Sequence, residues 1–136
     1  MTLIEWRDEF RVGVPAVDHE HETLIRLINE LYVIAREGGR DEDVIEFLGE
    51  IHARISAHFA LEEKVMRDHG YDQYPEHKRD HEKLLDGIRD IMDEFEAGGY
   101  GAQYEEKLGD HLRSWFTDHF RTHDARLHHH FGIEAL

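Results

Sequence analysis

Histidines and carboxylates stand where a helical core would place apolar side chains. His58 and Glu62 are four residues apart, as are His77 and His81. His21 and His119 each extend the apolar series of their own segments. Residues i and i+4 share one helix face about 6 Å apart, so each pair can present two donors to one point. Asp124 follows His119 by five residues, a spacing that suits a local widening or a helix end better than a regular helix. Burying such groups without partners costs roughly 1–3 kcal/mol each. A bound metal ion would offset that cost. Five imidazoles and two carboxylates exceed what one ion needs, and they suit a pair of ions bridged by the carboxylates. Imidazole serves iron, copper, zinc and nickel, and the carboxylates favour the harder of these, so spacing alone leaves the ion open.

Four segments must position these groups, at 19–37, 41–69, 75–97 and 103–127. Gly38-Gly39, Gly70 and Gly98-Gly99 read as helix stops, and Pro75 suits a first turn. Asp41, Glu42 and Asp43 stand where a helix N-terminus favours acids. The apolar stripes run Leu24, Leu27, Ile28, Leu31, Ile34, and then Val44, Phe47, Leu48, Ile51, Ile55, Val65, Met66. The third runs Leu84, Leu85, Ile88, Ile91, Met92, Phe95, and the fourth Leu108, Leu112, Trp115, Phe116. Short connections predict an all-α, up-down-up-down four-helix bundle behind an irregular N-terminal arm over 1–17. In that topology His21, His58, Glu62, His77, His81, His119 and Asp124 all fall at one end of the bundle.

Length and composition narrow the function classes. A chain of 136 residues suits one domain, 1–136. A net charge of −15 repels DNA, RNA and anionic lipid. The absence of cysteine excludes disulfides, thiolate metal sites, iron–sulfur clusters and cysteine nucleophiles. The N-terminus shows neither a signal peptide nor a membrane span, so the cytoplasm is the expected compartment.

The motifs resemble those of the hemerythrins, specifically the single-domain bacterial form, over nearly the whole chain. They are Trp6 with Val12-Gly13-Val14, Val17-Asp18-His19-Glu20-His21, and His58-Phe59-Ala60-Leu61-Glu62-Glu63 with Met66. Tyr71 precedes His77-Lys78-Arg79-Asp80-His81, and Trp115-Phe116-Thr117-Asp118-His119 precedes Asp124. The resemblance implies two iron ions with an oxo or hydroxo bridge. His77, His81 and His119 would hold one, His21 and His58 the other, and Glu62 and Asp124 would bridge them. It implies reversible dioxygen binding at the two-histidine iron, for storage, delivery or sensing and without catalysis. Leu24, Phe59, Trp115 and Phe116 are the candidates for an apolar oxygen pocket, and a protein that accepts the oxygen is an expected partner. Phe116 stands where Leu is common, and Glu20 where Gln often precedes the first His.

Plainer roles suit other residues. His19, His52, His69, His111 and His123 lie off the stripes or at helix ends and read as solvated side chains. Glu63 reads as exposed, Asp18 as a cap of the first helix, and His128-His129-His130 as a solvated tail. The competing functions are a di-iron redox enzyme and an oxygen- or nitric-oxide-responsive sensor module. The paired Glu-x-x-His motifs of ferritin-like enzymes are absent; the nearest match, Asp18 to His21, carries Asp in place of Glu.

Overall fold

The computed structural model describes residues 3–11, 15–98 and 103–127. A short 3-10 turn, Asp8–Phe10, leads into α1 (Pro15–Gly38), α2 (Asp41–Asp68), α3 (Tyr74–Glu96) and α4 (Tyr104–His119). The helices pack consecutively into an up-down-up-down bundle, with no strand among the described residues. None of these helices is long and apolar enough to cross a membrane.

Local chemistry accounts for the boundaries. Pro15 opens α1, where its fixed φ is helical and its missing N–H goes unused. The helix therefore starts inside the stretch 1–17 expected to be irregular, and Asp18 lies buried in its first turn. Asp43 closes the start of α2 by accepting from the Arg40 backbone N–H at 3.2 Å. Gly70, at φ +62°, lets the chain turn back so that Tyr71 N–H reaches the Met66 carbonyl at 2.9 Å.

The buried face of α1 differs from the expected stripe. Leu24, Ile25, Ile28, Tyr32 and Ala35 are buried, whereas Ile34 is 66% exposed. Tyr32 sets this rotation: its hydroxyl donates to Glu105 of α4 at 2.8 Å, turning positions 25, 28, 32 and 35 inward. In α2 the deepest series runs Ile55, Phe59, Glu62, Met66, with His58 and Val65 at its half-buried margin. The α3 and α4 stripes hold as expected, Leu85 and Met92 being half-buried.

The N-terminal arm covers the remaining flank. Asn29 accepts from Leu3 N–H at 2.9 Å and Ile4 N–H at 3.1 Å, and donates to the Ile4 carbonyl at 2.8 Å. Gly109 admits this strap, since a Cβ there would stand 3.3 Å from the Leu3 carbonyl oxygen.

After His119 the backbone widens. Phe120–Asp124 form one π turn before helix resumes at residues 125–127. The extra residue in that turn brings i and i+5 onto one face, which the His119 and Asp124 spacing required.

Candidate metal centre

Buried polar side chains are concentrated at one end of the bundle. Apart from Asp18, those among the described residues are His21, Glu62, His77, His81, His119 and Asp124, none more than 2% exposed. These are six of the seven positions singled out by spacing. One donor atom from each of Glu62, His77, His81, His119 and Asp124 lies within 4.8 Å of every other. His21 Nε2 adjoins this group, 3.1 Å from Asp124 Oδ2. His58 lies outside it: the ring is half-buried, with its centroid 6.1 Å from that of His21.

The imidazoles and carboxylates are knitted together. His77 Nε2 lies 2.6 Å from Glu62 Oε1 and 3.0 Å from Asp124 Oδ1. His81 Nε2 lies 3.1 Å from the same Glu62 oxygen, and His119 Nε2 3.0 Å from Asp124 Oδ1. Burial and the neighbouring carboxylate both act to protonate Glu62, but hydrogen bonds from His77 and His81 hold its pKa below the usual range. Burial likewise opposes the charge on Asp124, which His119, His21 and His77 outweigh, holding its pKa well below normal. Burial would lower the His77 pKa, yet Asp124 and Glu62 raise it to about 9. Burial also opposes protonation of His81, and Glu62 and Glu63 raise its pKa nonetheless. Desolvation pushes His58 down, towards the neutral imidazole that ligates metal.

This donor set fits a cation. Two ionised carboxylates at 1% and 2% exposure need a compensating positive charge. Without metal, the protons held on His77 and His81 contribute to it. A metal ion would take their place, with nitrogen and oxygen ligands of the types such ions accept.

A pH dependence follows. The raised His77 pKa stabilises the metal-free fold below about 6.5, its ordinary value, and that contribution is lost as pH rises through about 9. The lowered pKa values of Glu62 and Asp124 stabilise it above the ordinary carboxylate range, and this is lost in acid. A metal bound through His77 would displace its proton. The rise in melting temperature produced by Zn(II) should therefore grow from pH 6.5 to 9. Melts with and without Zn(II) across that interval test this, and a constant difference would refute it.

Several contacts were missed by spacing. Glu63, expected to be exposed, has a side chain only 14% exposed, and its Oε2 accepts from His81 Nδ1 at 2.9 Å. Asp80 Oδ2 accepts from His119 Nδ1 at 2.6 Å. Phe120 stacks on His21 with centroids 3.8 Å apart and planes 2° from parallel. The phase slip in the π turn was the available signal for Phe120. Glu63 and Asp80 flank the stripes, where acids ordinarily meet solvent.

The four pocket candidates divide. Phe59 stacks on His81 at 3.8 Å and Trp115 on His119 at 4.1 Å. Phe116 instead stacks on Phe120 at 5.0 Å, and Leu24 is buried beside the groove that opens at His58. Three histidines expected in solvent are half-buried: His52, His111 and His123. His111 Nε2 donates to the Leu84 carbonyl at 3.3 Å, over Gly87, where a Cβ would collide with its ring. His123 has its ring 5.5 Å from those of His77 and His119. His19 and His69 are exposed, as expected. The run His128-His129-His130 and the motif Val12-Gly13-Val14 lie outside the described residues.

A helical bundle with a buried cluster of histidines and carboxylates at one end defines a cation-binding protein of the helix-bundle class. The model of the hemerythrin HHE cation binding domain matches residues 12–134, and the chain belongs to the hemerythrin family. It is 30% identical over 129 residues to a bacteriohemerythrin of Pseudomonas aeruginosa, covering 92% of this chain and 79% of that one. A bacteriohemerythrin of Methylococcus capsulatus is 30% identical over 120 residues, covering 88% of this chain and 89% of its own. One from Aquifex aeolicus is 25% identical over 116 residues, 85% of this chain and 87% of that one. No solved structure matches.

Proposed function

We propose that this chain binds dioxygen reversibly at a non-haem pair of iron ions and acts in oxygen storage, delivery or sensing, without catalysis. The observation that carries the reading is the buried convergence of Glu62, His77, His81, His119 and Asp124, with His21 against Asp124. His77, His81 and His119 are the proposed ligands of one iron, and His21 and His58 those of the other. Glu62 and Asp124 would be shared between the two ions, together with an oxo or hydroxo group. Two iron ions held there would supply the reversible two-electron chemistry that dioxygen binding needs.

The remaining work falls to the side chains. Phe59 and Trp115 cover the His81 and His119 rings, and Phe120 covers His21. Together they keep bulk water from those three rings. These apolar faces offer no proton for cleavage of the O–O bond. Carriage is therefore the expected outcome over oxidation.

The test begins with iron-loaded protein reduced without oxygen, then exposed to air while the visible spectrum is recorded. A charge-transfer band that appears in air and disappears under vacuum supports carriage. Irreversible conversion to a plain diferric spectrum overturns it in favour of a redox enzyme.

A further inference from the structure

We propose that the metal pair assembles in a fixed order: one ion is captured first by His77, His81, His119, Glu62 and Asp124, and His21 and His58 then close round the second. This rests on the two-ion reading above and is independent of dioxygen binding.

The first position is formed by folding alone. Its five donor atoms already converge within 4.8 Å of one another. Two of its imidazoles are anchored from behind. His81 Nδ1 donates to Glu63 at 2.9 Å, and His119 Nδ1 donates to Asp80 at 2.6 Å. Trp115 fixes Asp80 in turn, its Nε1–H donating to the Asp80 carbonyl at 2.9 Å. A proton held on Nδ1 leaves Nε2 free to ligate and aims it inward. Phe59 and Trp115 stack on these same two rings and restrict their rotation. Donors already ordered in the free protein lose little freedom on binding, which strengthens capture.

The second position is built differently. Among the described residues His21 Nδ1 is buried with no hydrogen-bond partner, as is His77 Nδ1 in the first position, so it is His58 that sets the second position apart. His58 stands apart from the converged donors, at the floor of a groove between α1 and α2 lined by Glu20, Thr23, Leu24 and Leu27. It is also the one candidate ligand that reaches solvent. The groove gives a later ion its access, and His58 completes the shell once that ion arrives. Glu63 and Asp80 are thus positioning residues for the first ion only.

The test titrates Co(II) into the metal-free full chain without oxygen, following visible absorption and the bound equivalents by dialysis. Two resolved phases are expected. His58→Gln should remove the second while the first persists. Asp80→Ala should weaken the first about 10–100-fold, with Asp80→Asn recovering part of the loss. Far-ultraviolet dichroism checks that each variant is folded. The order is overturned if His58→Gln abolishes both phases in folded protein, or if Asp80→Ala leaves the first phase unchanged. A single equivalent in the unmodified chain would remove the two-ion reading itself, and the order with it.

Discussion

Asp124→Ala is expected to leave at most one ion bound per chain, with affinity reduced on the order of a hundredfold or more. Even partners behind a ligand are worth about 10–100-fold, so a shared direct ligand should exceed that. The geometry explains the size of the effect. Asp124 Oδ1 meets both His77 and His119 at 3.0 Å, and Oδ2 meets His21 at 3.1 Å. It is therefore the one carboxylate in contact with histidines of both proposed positions. The metal-free fold suffers too, because removing one member of a buried charged network typically costs about 3–5 kcal/mol. Asp124→Asn separates the two effects: it keeps the shape and loses the charge, so it should fold better than alanine and still bind metal weakly. Elemental analysis after dialysis measures the first effect and thermal melting the second. Full occupancy in Asp124→Ala would rule out its role as a bridge.

Phe120→Ala should be the most damaging change at a residue that is not itself a proposed ligand. Phe120 is 2% exposed, stacks on His21 and Phe116, and meets Phe10 edge-on at 6.0 Å. It joins three parts of the molecule: the arm, α4 and the His21 ring of α1. Truncating a buried Phe costs about 3–5 kcal/mol. For a chain of this size that is a fall in melting temperature of roughly 10 °C or more. The second Co(II) phase should weaken more than the first, because His21 loses the face that orients it. Equal weakening of both phases would show that Phe120 supports the bundle alone. Phe120→Leu, which keeps the volume nearly filled, should recover most of the stability and less of the His21 effect.

The helices and, apart from the start of α1, their ends were legible in the sequence because local rules decide them. Proline, glycine and acidic first turns act within a few residues, and the α3 series of Leu84, Ile88, Ile91 and Phe95 admits one buried face. On α1 two stripes overlap, 24/27/31/34 and 25/28/32/35, and both are apolar enough to bury. The choice was made by Tyr32 reaching Glu105, seventy-three residues away, which no local pattern contains. The converging donors were visible for a different reason: polar groups on core positions contradict the stripe that carries them. Glu63 and Asp80 contradict nothing. An acid beside a stripe is ordinary surface until another helix brings a histidine to it. His58 illustrates the opposite limit, since it shares the stripe's count yet sits at its margin while Phe59 takes the deep position.

The widened turn after His119 also decides which side chain is offered to the buried cluster. Four residues beyond His119, where an unbroken α-helix would put the next inward side chain, stands His123. The bundle thus carries a rival donor one place before Asp124, with its ring already 5.5 Å from His119. Had residues 120–124 wound regularly, the end of the bundle would offer six imidazoles and a single carboxylate, a neutral-rich set matched to borderline ions and unable to share a second anion between two metals. One extra residue in the spiral substitutes oxygen for nitrogen. The choice of the donor atom offered at this position is made by the main chain, and the side chains only supply the alternatives.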